Sequence, residues 1–221
     1  MEQAGFSGFL GATLEGIRED AVNCLLWMGA VAGVYIVSDL FMNNENGLML
    51  VGYIASIMVT LIGQSHLIRR YLERHHIASS DDLQRPRIGS IFGISLLTGV
   101  ASLAGLLLLV IPGIFLACRW FASVPALFAE QSTATDAMRS SWSLTSGHVL
   151  AIFATLLFLS LPSFAGAASL FLSDVDQTLT LAGSLALNIP LAVSTVALWV
   201  AAAAIYTQLD GGLARRVDVF A

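Results

Sequence analysis

The sequence predicts an all-α, polytopic integral membrane protein, with six transmembrane helices and two short interfacial amphipathic helices in a single membrane domain. Three observations carry this. Apolar residues make up 57% of the 221 residues and charged residues 11%, whereas a soluble domain carries about a quarter charged. Apolar runs of roughly twenty residues, the length that crosses a bilayer, recur between short polar turns. The basic residues are all arginine, and they cluster in alternate turns.

Residues 5–18 place Phe6, Phe9, Leu10, Leu14 and Ile17 at three- and four-residue spacing, opposite Glu15 and Arg18. The run is too short and polar to span. It reads as an amphipathic helix that either lies in the interface or docks under the bundle through the same stripe. Glu2, Glu15, Glu19 and Asp20 are the wrong flank for a basic signal-peptide n-region.

The spans are expected at about 21–41, 48–68, 89–111, 113–129, 149–172 and 185–208. Asp39 sits within a turn of the outer end of the first, either reaching interfacial water or meeting Arg119. Asn43 to Gly47 forms a polar turn. His66, near the inner end of the second span, reads as a packing residue, since no nearby carboxylate or thiol completes a metal site. Cys24 and Cys118 read as buried, unpaired residues at different depths.

Arg69, Arg70, Arg74, Arg85 and Arg87 follow the second span, with His75-His76 among them. The first part should continue the helix beyond the membrane, and Pro86 suits the first turn of the next helix. The cluster reads as a topology signal. Its second reading is a holder of anionic lipid headgroups, at about 1 kcal/mol per residue near the surface. In the third span, Gly89/Gly93 and Ala101/Gly105 have the small-xxx-small spacing that lets helices approach closely, inside the bundle or in a homodimer.

The stretch from Ile111 to His148 is expected to organise the chain. Pro112-Gly113 marks a helix end and a tight turn. Arg119 then comes about two turns into the next helix. A guanidinium costs roughly 2.5–3.5 kcal/mol at the bilayer centre even on lenient scales, so it must face the bundle, a carboxylate, a water pocket or lipid phosphate. Glu130 lies about 16 Å further along, too far to pair with it. Asp39 is therefore the first candidate partner of Arg119, while Arg139 or the arginine loop can neutralise Glu130. Thr133 with Asp136 resembles an N-terminal cap, and Gly147 a C-terminal one. The helix between them, 133–146, should lie along the inner surface with Trp142 as its anchor.

The residues Ile111-Pro112-Gly113, Arg119, Pro125 and Glu130 form a pattern with the run Ala137-Met138-Arg139-Ser140-Ser141-Trp142-Ser143-Leu144-Thr145-Ser146-Gly147-His148. That pattern resembles the bacterial membrane domain fused ahead of glycerophosphodiester phosphodiesterases, and its stand-alone, largely uncharacterised inner-membrane relatives. Met138 stands where leucine is usual, and Ser140 where a basic residue is frequent. The resemblance implies a helix layout and an inner-membrane location. It implies no catalytic residues, because the phosphodiesterase chemistry belongs to a separate barrel of about 250 residues.

Pro162 with Gly166 interrupts the fifth span, and Pro190 after Asn188 the sixth. Interrupted helices mark binding sites in some transporters, although prolines are common in membrane helices generally. The turns after the second, fourth and sixth spans hold five, one and two arginines, and those after the first, third and fifth hold none. Both termini are therefore expected in the cytoplasm.

No Gly-rich phosphate loop, Cys/His cluster or nucleophile–base pair stands out. No cofactor, metal, catalytic residue or nucleic-acid partner is expected. The candidate polar residues are Asp39, Arg119, Glu130, Arg139 and Trp142. The expected role is a non-enzymatic accessory or scaffold protein of the inner membrane, whose partners are the bilayer and a protein partner or second copy. The alternative is a small transporter or lipid-handling protein with a cavity near Arg119 and Glu130, between the kinked last two helices.

Overall fold

The computed structural model describes residues 5–42, 48–77, 88–108, 110–172 and 180–220. The polar turn at 43–47, Pro86 with Arg85 and Arg87, and the acidic loop between the last two spans lie outside them. Among the described residues every regular element is helical: α1 Phe6–Glu19, α2 Ala21–Met42, α3 Leu48–Arg74, α4 Ile88–Leu108, α5 Val110–Arg119, α6 Ser123–Ala129, α7 Ala134–Leu144, α8 Val149–Leu172 and α9 Leu181–Phe220. Among the described residues five stretches are long and apolar enough to cross a membrane: Ala21–Leu40, Leu50–Arg74, Ile111–Ala129, Val149–Ser169 and Leu181–Asp210. Within α4 the described apolar stretch is the shorter Gly89–Val100. The chain is a helical membrane protein.

The central post is α9, not the stretch from Ile111 to His148. It packs against α1, α2, α3, α6, α7 and α8. The cause is local composition: Ala201, Ala202, Ala203 and Ala204 are all buried, and small side chains let backbones approach from several sides at once. One turn earlier, a Cβ on Gly63 of α3 would stand 2.7 Å from the Trp27 ring of α2 and 2.8 Å from the Trp199 ring of α9. Three helices meet at a point that only glycine fits. The glycines of α4 behave differently. A Cβ at Gly89, Gly93 or Gly99 would meet nothing within 4 Å, so these positions do not draw α4 into the bundle as their spacing suggests.

The two prolines close the α8–α9 contact instead of parting it. Pro190 cannot donate to the Ala186 carbonyl, and that oxygen lies 2.9 Å from where a Gly166 Cβ would be. Beside Pro162, the Ser163 amide donates to Ser194 Oγ of α9 at 3.2 Å.

The first helix is docked. Phe9, Thr13 and Gly16 are buried against α9 and α8, and Gln208 Nε2 donates to the Gly8 carbonyl at 3.0 Å. The expected stripe divides, with Phe9 turned inward and Phe6 and Leu14 exposed. α3 continues past residue 68 to Arg74, as expected from its polar end.

Candidate functional site

The fourth apolar stretch is not one helix. Proline lacks an amide hydrogen and its ring clashes with the carbonyl four residues back, which for Pro125 belongs to Phe121. The helix therefore stops at Arg119 and restarts at Ser123, putting Pro125 in a first turn. Ser123 directs its amide and its hydroxyl to the Trp120 carbonyl, at 3.1 and 2.6 Å. The Arg119 carbonyl thereby loses the Ser123 amide it would accept in a continuous helix. Two buried hydroxyls replace it, Ser141 Oγ of α7 at 2.8 Å and Oγ1 of Thr145, the residue that closes α7, at 3.1 Å.

The same face of α7 covers the Arg119 side chain. Its Cζ lies 4.4 Å from the Trp142 ring centroid and 5.9 Å from that of Phe115. Trp142 in turn meets Phe115 and Trp120, with centroids 5.9 Å away in each case. A guanidinium over an indole gains about 0.5 kcal/mol when exposed and about 2 kcal/mol when desolvated. Arg119 is 7% exposed, near the desolvated end of that range.

This corrects the expected carboxylate pairing. Asp39 does not hold Arg119, because α2 packs on α3 and α9 whereas α5 packs on α4 and α8. Glu130 is not held by Arg139 either. It accepts from Ser140 Oγ and from Tyr206 Oη, the latter at 3.3 Å, while Arg139 lies on the exposed face, 3.8 Å from Asp136. Thr133 caps α7 as expected, its hydroxyl accepting the Asp136 amide at 3.3 Å. Gly147, at φ +82°, takes the left-handed turn into α8. Arg119, Trp142 and Glu130 thus share one seam that fastens α7 to the bundle.

Asp39 belongs to a separate place. A cleft of about 590 Å³ lies between α2, α3, α4 and α9. At its floor Asp39 Oδ2 accepts from Asn188 Nδ2 at 2.6 Å and from Ser184 Oγ at 2.7 Å. Asn188 also donates to the Ser184 carbonyl at 2.9 Å. Along one wall two hydroxyl pairs join α2 to α3, Tyr35–Thr60 and Ser38–Ser56, each at 3.2 Å. Gln64 extends the polar wall, and Tyr53, Ile57, Phe92 and Leu96 form the apolar remainder. These last four are about half exposed, so the cleft opens on the flank of the bundle between α3 and α4. From Tyr53 to Gln64 it runs roughly 16 Å along α3.

The sequence reading singled out Asp39 but missed this face. The signal was present as period. Tyr35, Ser38 and Asp39 fall at i, i+3 and i+4, and Tyr53, Ser56, Thr60 and Gln64 continue at three- and four-residue steps. That is one helix stripe on each of two apolar spans.

A third polar cluster joins α1, α2 and α3. Arg70 donates to Asp20 through Nε at 2.8 Å and Nη2 at 3.3 Å, Arg74 at 2.9 Å and Asn23 at 2.6 Å. Burial pushes the Asp20 carboxyl up, but the hydrogen bonds from Arg70 and Asn23 and the charges of Arg70 and Arg74 outweigh it and hold it below its ordinary 3.8. Two of the arginines expected to be available to headgroups are therefore bound to a carboxylate of the chain itself. His75 stacks on Tyr71, with centroids 4.3 Å apart, and His66 lies against Trp27.

No family model, no curated protein and no solved structure matches the chain.

Proposed function

We propose that this is a six-span, non-enzymatic protein of a bacterial inner membrane, with both termini in the cytoplasm, that holds an amphiphilic molecule in the α2–α3–α4–α9 cleft. The single observation carrying this reading is the cleft itself: about 590 Å³, with a polar floor, apolar walls and a mouth on the flank of the bundle. That volume falls within the roughly 300–1,000 Å³ of small-molecule sites. Apolar walls suit a hydrocarbon tail, and hydroxyls and amides spaced along α2 and α3 suit a head with several hydrogen-bonding groups. This is the lipid-handling alternative moved from Arg119 to Asp39. The sixth span is α4, and the threading follows the arginine alternation. The likeness to the phosphodiesterase-associated membrane domain is kept as part of this reading, through the Arg119–Trp142 seam.

Native mass spectrometry of the protein released from nanodiscs of its own membrane lipids tests the cleft. The wild type should retain one lipid-sized adduct, and Ser56→Trp, which fills the cleft, should lose it. A wild type that retains none, or a variant that retains it equally, overturns the proposal. The accessory or scaffold reading has one observation in its favour, the open space beside Gly89 and Gly93 on α4. Cysteine cross-linking between copies at Gly93 would support self-association there.

A further inference from the structure

We infer that the amphiphile held in this cleft carries a positively charged head, and that Asp39 selects it. The inference rests on the cleft being a ligand site and adds the sign of the ligand's charge. Among the residues lining the cleft one is acidic and none is basic. The two groups that fix Asp39, the Ser184 hydroxyl and the Asn188 amide, are neutral dipoles. They orient the carboxylate and satisfy Oδ2 without cancelling its charge. Among the described residues no donor reaches Oδ1.

Three arginines singled out as partners or headgroup holders are employed elsewhere. Arg119 is stacked on Trp142 in another seam, and Arg70 and Arg74 are bound to Asp20. A partly buried carboxylate in an apolar surround is normally paired. An ammonium head seated beside Oδ1 would provide that pairing.

The rest of the lining fits the same chemistry. Tyr35, Tyr53 and Phe92 are among the residues lining the cleft, and aromatic faces attract cations, quaternary ammonium groups included. Ile57, Leu96 and Leu191 supply an apolar wall for the tail. An anionic head would meet an unpaired carboxylate and no cation, so the same geometry rejects phosphate-bearing amphiphiles lacking an amine.

The test uses full-length protein in glycosyldiacylglycerol nanodiscs, whose lipid carries neither amine nor phosphate, and three probes with one dodecyl tail: dodecyltrimethylammonium, dodecyl maltoside and dodecyl phosphate. Bound probe is counted by native mass spectrometry. The ammonium probe should be retained as a single adduct, about tenfold or more above the other two, the discrimination that one charge-assisted contact supplies. Asp39→Asn keeps an acceptor for Ser184 and Asn188 and should lose that preference. Tyr53→Leu leaves the Asp39 network untouched and should weaken ammonium binding alone, which keeps the test informative even where Asp39→Asn melts early. Equal retention of all three probes, or an unchanged preference in both variants, overturns the charge assignment and leaves the cleft standing. Retention of no probe by the wild type overturns both.

Discussion

The break between α5 and α6 makes a quantitative prediction. Its weak point is the Arg119 carbonyl, which Ser141 and Thr145 satisfy together at 2.8 and 3.1 Å. Ser141→Ala removes one donor and leaves the other in place, so the loss should be about 1 kcal/mol, the net worth of an ordinary hydrogen bond. Thr145→Val is nearly isosteric and removes a hydroxyl whose single proton is shared between the same oxygen at 3.1 Å and the Ser141 carbonyl at 2.8 Å. That second carbonyl still receives the Thr145 amide at 3.0 Å, so this single loss should also be about 1 kcal/mol. The double variant differs in kind. The buried carbonyl then has no hydroxyl partner and no Ser123 amide, and an unsatisfied buried acceptor costs about 1–3 kcal/mol of desolvation.

The pair should therefore be worse than additive by about 1 kcal/mol, the coupling expected of two donors backing up one acceptor. For a chain of this size 1 kcal/mol corresponds to roughly 2–4 °C in Tm. Thermal melting of purified protein in detergent, followed by circular dichroism, reads all four members of the cycle. Strict additivity would show that the hydroxyls do not share the Arg119 carbonyl, and the account of how α7 repairs the helix break would fail.

Three further outcomes follow from the packing. Arg119→Met and Asp39→Leu should each lower the Tm, and their effects should add to within about 0.5 kcal/mol, because they belong to networks with no common partner; recovery in the double variant would restore the ion pair that the structure replaces. Gly63→Ala should cost about 1–3 kcal/mol by overpacking against two indoles, whereas Gly93→Ala should leave the Tm unchanged; equal effects in the same melting assay would refute the placement of α4. The Asp20 carboxyl is held below its ordinary 3.8, so its contribution to stability is fully present above that value and is lost as pH falls through the lower folded value. Melting in acid should show wild type losing that advantage over Asp20→Asn, and an advantage that grew on acidification would contradict the cluster.

What could be read from the sequence was what depends on position along one helix. The Thr133 cap, the Gly147 turn, the polar extension of α3 and the apolar spans are all set by neighbours within a few residues. Arg119 and Asp39 were recognised as unusual on the same basis, since a charge in an apolar run needs a partner wherever it lies. Their supposed pairing failed for a different reason. Hydropathy fixes depth, but it does not say which helices are side by side. That depends on where close approach is permitted, at Ala201 to Ala204, Gly63 and Gly166, and those small residues look alike in a list of small residues. Gly89 and Gly93 of α4 have the better spacing, and a Cβ at either would meet nothing within 4 Å.

The polar stripe of the cleft was hidden for a related reason. Ser38, Ser56 and Thr60 each have the carbonyl four residues back within hydrogen-bond distance as an alternative acceptor, so each has a local partner and none looks out of place in its own helix. Only their common face, brought opposite Asn188 of α9 by the packing of α2 and α3 on that post, turns separate tolerated hydroxyls into one wall. A function that resides in such a wall is written in the period of weakly polar residues across two spans. The charged residues that attract attention first, Arg119 and Glu130, serve here to fasten one amphipathic helix to the bundle.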